Sequence, residues 1–376
     1  MLLVYLLLGL LALALVLAVA GWLFMRRAPF GAAPQGARAA RRAASPHFRN
    51  GQFQNLAHTP NFSEGVTMAS AMRDFFFTRN PRKEPPAPLP SVRADLRSLD
   101  PAQDLLVWFG HSSYFLQLSG KTFLVDPVLS GAASPVSFTT HAFAGADAYG
   151  VEDLPPIDYL LLTHDHWDHL DYDVVKELRT RVGHVVTGLG TGAHLERWGY
   201  APECITELDW WEEADLPGGF RIASAPARHF SGRGLRRNGV LWTAFVLRTP
   251  ARQLFLGGDS GYGDHFAAIR ERWGNFDLAL LECGQYNKNW KYIHMTPEEG
   301  VQAALDLGAA RFMPVHWGKF ALALHDWDEP VRRSVAEARR RGLPVLHPRI
   351  GAPLLLDAPG PQEEWWKEVK DPKVKN

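Results

Sequence analysis

A mixed α/β (α+β) chain folded as a four-layer αββα sandwich, with one apolar helix in front of it, is the architecture the sequence predicts, on three observations. Residues 1–25 carry no charge and are mostly Leu, Ala and Val. After Pro101, short β-rich runs form a meander and then alternate with helix-like stretches, the pattern of two sheets packed face to face with helices outside. Asp126, His164, His229, Asp259 and His316 each fall just past an expected strand end, where a loop is both accessible and held.

As a helix the apolar run would reach about 37 Å, against roughly 30 Å of bilayer hydrocarbon, enough for one tilted transmembrane span. Arg26, Arg27, Arg38, Arg41, Arg42 and Arg49 follow, with no acidic residue before Glu64. The positive-inside tendency then places the following domain in the cytoplasm, on a bacterial-type inner membrane. A cleaved secretory signal competes, since Ala18-Val19-Ala20 has the small-x-small form, but the basic n-region is missing and the run is long for an h-region. Residues 26–50, rich in Ala, Arg, Gly and Pro, read as a flexible basic linker lying against anionic headgroups. In residues 51–100, three phenylalanines stand between Arg73 and Arg79 and a proline-rich stretch follows; this reads as a strap on the core or as a lipid-contacting element.

The main domain covers residues 101–360, and residues 361–376 read as a charged tail. Strands are expected at 105–109, 114–118 and 122–125, then at 157–163, 184–187, 220–225, 241–248, 253–257, 277–282 and 311–315, with two more near Val345 and Leu354. Helices are expected at 172–182, 191–198, 265–273, 297–307 and 329–341.

Lysine plus arginine equals aspartate plus glutamate at 40 each, so no global field draws the chain to nucleic acid. Cys204 and Cys283 are too few for a disulfide scaffold, and no Cys-x-x-Cys pair exists for structural zinc; both read as packed thiols. The strongest local signal is Thr163-His-Asp-His-Trp-Asp-His169, with three imidazoles and a carboxylate in six residues. Such a cluster is costly to bury without a charge to satisfy it, and a divalent cation supplies that charge. Nitrogen and oxygen donors without thiolate favour zinc, with iron or manganese as substitutes.

The run His164-x-His166-x-Asp168-His169 resembles the signature of the metallo-β-lactamase superfamily. The resemblance implies two metals, one held by His164, His166 and His229 and the other by Asp168, His169 and His316, with Asp259 bridging. Asp126 would orient a ligand from behind. A narrower resemblance, over roughly residues 100 to 350, is to the phospholipases D that hydrolyse N-acylphosphatidylethanolamine and their bacterial relatives. It rests on Gly110-His-Ser, Asp126-Pro, Pro155-Pro-Ile-Asp-Tyr, Thr163 through Tyr172, Glu207 through Glu213, Leu241-Trp, Gly258-Asp-Ser-Gly-Tyr, Pro297-Glu-Glu and His316-Trp-Gly-Lys-Phe-Ala-Leu. The segment Gly284 through Trp290 departs from the family's form.

By this resemblance water activated by the metals attacks phosphorus, with Asp168 and Asp259 in the catalytic centre and His294 stabilising phosphate charge or protonating the leaving oxygen. His111 is a weaker candidate behind the ligands, and Trp210, Trp211, Trp290 and Trp317 are assigned to the core rather than to an acyl cleft. The expected partners are a phospholipid substrate and the membrane, with a second copy of the chain admitted and nucleic acid excluded. The alternatives are a lactonase or cyclic phosphodiesterase on the same fold, and a membrane-tethered binding protein with a vestigial site. A nuclease lacks a basic domain, and a β-lactamase facing the cytoplasm would miss its antibiotic.

Overall fold

The computed structural model describes residues 1–136 and 138–370. In chain order, α1 (Leu2–Met25), α2 (Gly36–Ala44), the hairpin of β1 (Phe48–Arg49) and β2 (Gln52–Phe53), and α3 (Met68–Phe77) precede the meander β3 (Leu105–Trp108), β4 (Tyr114–Leu118) and β5 (Lys121–Val125). There follow β6 (Ile157–Leu162), α4 (Tyr172–Leu178), β7 (Val182–Gly188), α5 (Gly192–Arg197), β8 (Ile205–Leu208), β9 (Glu213–Leu216), β10 (Phe220–Ala225) and β11 (Ala244–Arg248). The chain continues through β12 (Gln253–Leu256), α6 (His265–Trp273), β13 (Leu278–Glu282), α7 (Pro297–Asp306), β14 (Phe312–Val315), α8 (Glu329–Arg341) and β15 (Pro353–Leu355).

One sheet has the order β15-β3-β4-β5-β6-β7-β8 and the other β14-β13-β12-β11-β10-β9. Both combine an antiparallel meander with parallel strands, changing at β5/β6 and at β12/β13. Alternation along the strands then assigns the faces. Leu106, Trp108, Leu116 and Phe123 meet Ile222, Phe245, Leu247 and Leu254 between the sheets. Their neighbours Val107, Phe115 and Leu124 face Val174, Leu178 and Leu195 of α4 and α5, while Ala223, Val246 and Phe255 face Phe266, Val301 and Ala338 of α6 to α8. The expected αββα order is therefore the observed one.

Helix α1 has no buried residue and is long and apolar enough to cross a membrane. Several expectations need correction. Residues 26–50 are not a flexible linker: Ala28–Phe30 forms a 3-10 turn, α2 follows, and its arginines find carboxylates of the sandwich. Arg38 pairs with Glu207 and with Glu196 (3.0 Å), and Arg41 pairs with Glu212 (2.6 Å). These partners lie far away in sequence, so composition alone could not reveal them. Val345 makes only an isolated bridge to Phe312. The helix expected over 172–182 stops at Leu178, and the short strands β8 and β9 were not anticipated.

Nor are residues 361–370 a free tail. Trp365 and Trp366 are each 1% exposed and pack against Trp317, with ring centroids 5.3 and 5.9 Å away. The rest of the expected tail, 371–376, lies outside the described residues. Replacing Trp365 by alanine should destabilise the chain by about 3–5 kcal/mol in denaturant unfolding. A loss under about 1 kcal/mol would place this ring outside the core.

Candidate metal centre

The chemistry-bearing side chains follow the carboxyl ends of strands from both sheets. His111 follows β3, Asp126 β5, His164 β6, His229 β10, Asp259 β12 and His316 β14. His111, Asp126 and His316 have left-handed backbone (φ 51°, 41° and 68°), a cost of about 1–3 kcal/mol each that surrounding structure must hold in place. At Gly258 (φ 57°) a side chain would meet Thr163 Cβ at 2.9 Å, so only glycine lets the Asp259 loop cross the His164 loop.

In the first cluster, His166 Nδ1 lies 2.9 Å from His164 Nε2 and 3.2 Å from His229 Nε2. Nδ1 of His229 donates to Ile293 O (2.9 Å), which leaves its Nε2 as a lone pair. In the second, His169 Nδ1 donates to Asp126 Oδ2 (2.8 Å), and His316 Nδ1 pairs with Ser112 Oγ (2.9 Å). The buried Nε2 atoms of His169 and His316 and the Oδ1 of Asp259 have no hydrogen bond. Asp259 turns one oxygen to each cluster: Oδ2 lies 3.9 Å from His164 Nε2 and 3.6 Å from His229 Nε2, and Oδ1 lies 3.1 Å from His169 Nε2 and 3.2 Å from His316 Nδ1.

Candidate ligand atoms of His164, His166, His229 and Asp259 fall within 4.8 Å of one another, as do those of Asp168, His169 and His316 together with the imidazole of His111. Orphaned, buried nitrogen and oxygen donors gathered into two groups across one carboxylate fit two divalent cations. Burial pushes the imidazoles of His164, His229 and His316 well below their usual pKa, keeping them neutral donors. Burial opposes ionisation of Asp259 as well, yet the adjacent His169 holds its carboxyl down at about 2.

A model of the β-lactamase superfamily domain matches residues 121–317, more than half of the chain. The chain belongs to the metallo-β-lactamase superfamily. It is 37% identical over 330 residues to an uncharacterized protein of Mycobacterium tuberculosis, covering 86% of this chain and 88% of the relative. It is 31% identical over 232 residues to N-acyl-phosphatidylethanolamine-hydrolyzing phospholipase D 1 of Caenorhabditis elegans, covering 58% of this chain and 65% of that one. Among solved structures it matches Igni18, a metallo hydrolase of Ignicoccus hospitalis, at TM-score 0.52 and 20% identity, over 67% of this chain and 97% of that one. As a superfamily metal-dependent hydrolase, the protein draws the seven residues expected as ligands into one region.

Two further residues stand behind the ligands. Asp126 accepts from Thr163 N (2.8 Å), Thr163 Oγ1 (2.5 Å) and His169 Nδ1 (2.8 Å). It does not line the cleft, so it positions His169 and fixes its tautomer rather than touching substrate. His111 holds Asp168 in the same manner through a 2.9 Å contact.

The metal clusters open into a cleft of about 260 Å³ whose walls include Phe62, Phe230, Trp290, Ile293 and Leu322. Trp290 is thus a wall residue, unlike Trp210, Trp211 and Trp317. His294 lines the same cleft, and its Nδ1 meets Glu282 Oε2 at 2.5 Å. Burial opposes its protonation, but Glu282 raises the imidazole to about 9. Glu282 was not singled out from sequence; a lone carboxylate ending an apolar strand was the available signal. Asn55, also missed, clamps the His229 backbone by accepting from its N–H (3.0 Å) and donating to its carbonyl (2.8 Å).

After reconstitution with zinc, Asp259→Asn should take up fewer ions per chain than the unaltered protein by elemental analysis, since each oxygen faces one cluster. Unchanged stoichiometry would contradict a bridging role. Asp126→Asn should weaken zinc binding about 10–100-fold, as measured by competition with a chelating dye.

Proposed function

We propose that this protein is a membrane-anchored phosphodiesterase with two zinc ions, hydrolysing N-acylphosphatidylethanolamine-type phospholipids to phosphatidic acid and an N-acylethanolamine. The observation that carries this reading is the cleft. Its apolar wall leads from the metal ligands to the guanidinium of Arg237, which lies 4.7 Å from the Phe230 ring centroid and makes no ion pair among the described residues. Hydrocarbon beside a single unpaired cation suits a phosphate ester of a lipid, whereas a neutral lactone has no use for the cation.

Two divalent ions would supply Lewis-acid polarisation of a phosphoryl oxygen and activation of water near neutral pH. The chain's residues do the rest. Asp259 and the imidazoles fix where charge is neutralised, and Arg237 binds a non-reacting phosphate oxygen. As the water oxygen bonds to phosphorus and releases one proton to solvent, the bond to the N-acylethanolamine oxygen breaks. His294, tied through Nδ1 to Glu282, passes the proton on its Nε2 to that departing oxygen.

Anchoring by α1 is supported at its end, where Arg26 lies 4.5 Å from the Trp22 ring and Arg27 lies 5.4 Å from the Phe24 ring, an aromatic and basic belt at the depth of an interface. By the positive-inside tendency, the same two arginines favour a catalytic domain on the cytoplasmic side. Arg38 and Arg41 are paired to the domain, whereas Arg26 and Arg27 adjoin the end of the helix.

The full chain in detergent micelles should release phosphatidic acid from N-acylphosphatidylethanolamine faster than from phosphatidylcholine, and turn over neither a lactone nor a cyclic nucleotide. Turnover of the lactone with no phospholipid cleavage would sink the phospholipase reading. In Arg237→Gln, KM for the phospholipid should rise roughly tenfold to a hundredfold with kcat little changed, the worth of a hydrogen bond to a charged group. An unchanged KM would remove Arg237 from substrate binding.

A further inference from the structure

The segment between the apolar helix and α2 is keyed into the turn that carries the metal ligands. Trp167, between His166 and Asp168, meets the ring of Phe30 edge-on with centroids 5.2 Å apart. The guanidinium of Arg233 lies 3.8 Å from the centroid of the same indole. Arg233 donates through Nε to Pro29 O (2.8 Å) and through one terminal nitrogen to Asp165 O (2.9 Å) and Leu170 O (2.6 Å). One side chain thus ties the juxtamembrane segment to both ends of the run 165–170, which contains His166, Asp168 and His169.

A second strut lies alongside. Ala32 N–H donates to Nδ1 of His194 (2.9 Å), so His194 carries its proton on Nε2 and presents it to Asp165 Oδ2 at 3.3 Å. The other Asp165 oxygen accepts from Gly232 N (2.6 Å). A third contact, Trp198 Nε1 to Ala28 O at 2.8 Å, seats the start of the segment.

The choice of arginine is informative. Arg233 is 4% exposed, and no carboxylate pairs with it among the described residues. Burying an unpaired cation is expensive, and packing alone would be served as well by an apolar side chain. Here carbonyl oxygens and an aromatic face take the place of a direct ion pair, with the Asp165 and Asp171 carboxylates near enough to favour the charge, an arrangement that needs a planar fork with several donors. Arg233 also lies four residues after His229, so it couples the segment of a first-cluster ligand to the turn bearing the second cluster.

We propose that residues 28–32 are a structural component of the metal centre: with Arg233 as positioning residue they hold the 165–170 turn, so that metal retention depends on the juxtamembrane segment being seated. Because α1 ends at Met25, with only Arg26 and Arg27 between it and this lock, a change in how the helix lies relative to the domain acts on the metal ligands. The inference rests on the metal reading of the site and is independent of the substrate.

The test uses the full chain in detergent, loaded with zinc alone, and follows zinc release to an excess of chromogenic chelator. Phe30→Ala and Arg233→Gln should each release zinc about tenfold faster than the unaltered chain. Arg233→Lys should not restore retention, because a point charge cannot bridge the three carbonyls. Arg41→Ala, in the neighbouring helix α2 and paired to Glu212 at the surface, should leave release unchanged. Melting of the metal-stripped chains separates a merely structural role: a lower melting temperature with unaltered zinc release overturns the proposal. Phe30→Ala removes only a half-buried ring and decides the matter if the arginine variants do not fold. An unaltered chain that holds zinc beside variants that hold it equally sinks the lock alone, whereas an unaltered chain that binds no zinc sinks the metal reading and the lock with it.

Discussion

Imidazole nitrogens and a carboxylate, buried face to face with too few protons to share, set the terms for the rest of this molecule. His169 Nε2, His316 Nε2 and Asp259 Oδ1 have given up water without gaining a hydrogen bond. A divalent cation between them would repay that desolvation. Three of the imidazoles have one nitrogen already committed elsewhere, His169 to Asp126, His316 to Ser112 and His229 to Ile293 O. Those outer bonds decide which lone pairs point inward, so the site is prepared before any ion arrives.

The fold serves this arrangement by bringing the carboxyl ends of strands from two sheets to one place. Neither sheet could do so alone: β6 supplies His164 and the turn after it, while β10, β12 and β14 supply His229, Asp259 and His316. The inter-sheet core therefore sets the distance between ligands as much as it sets stability. The strap and the juxtamembrane segment contribute from outside the sandwich, through Asn55 on the His229 backbone and Pro29 on Arg233. A hydrolase built this way joins its apolar helix to its reactive centre through a few rigid contacts rather than a tether.

Much of this was legible in sequence, and the remainder was hidden for identifiable reasons. The seven residues expected as ligands came from the family resemblance: four crowd into the run 164–169, and His229, Asp259 and His316 match it from just past strand ends. Strands with apolar runs, such as β6 and β13, were legible from those runs. By contrast β9, Glu213-Ala-Asp-Leu216, is short and polar, and its partner β10 gives it a shape that its own residues do not. The arginines of residues 26–50 have the composition of a disordered linker, and their folding depends on Glu207 and Glu212, remote carboxylates that no local pattern announces. Trp365 and Trp366 were masked by the charged residues around them. Glu282 was hidden inside an apolar strand, where a single carboxylate reads as an exception until His294 is seen beside it.

Anomalous diffraction at the zinc edge, from crystals of the zinc-loaded chain, tests the central claim most directly. The account requires two peaks on either side of the Asp259 carboxylate, one against His164, His166 and His229 and the other against Asp168, His169 and His316. A single peak, or two peaks that do not share Asp259, would contradict it.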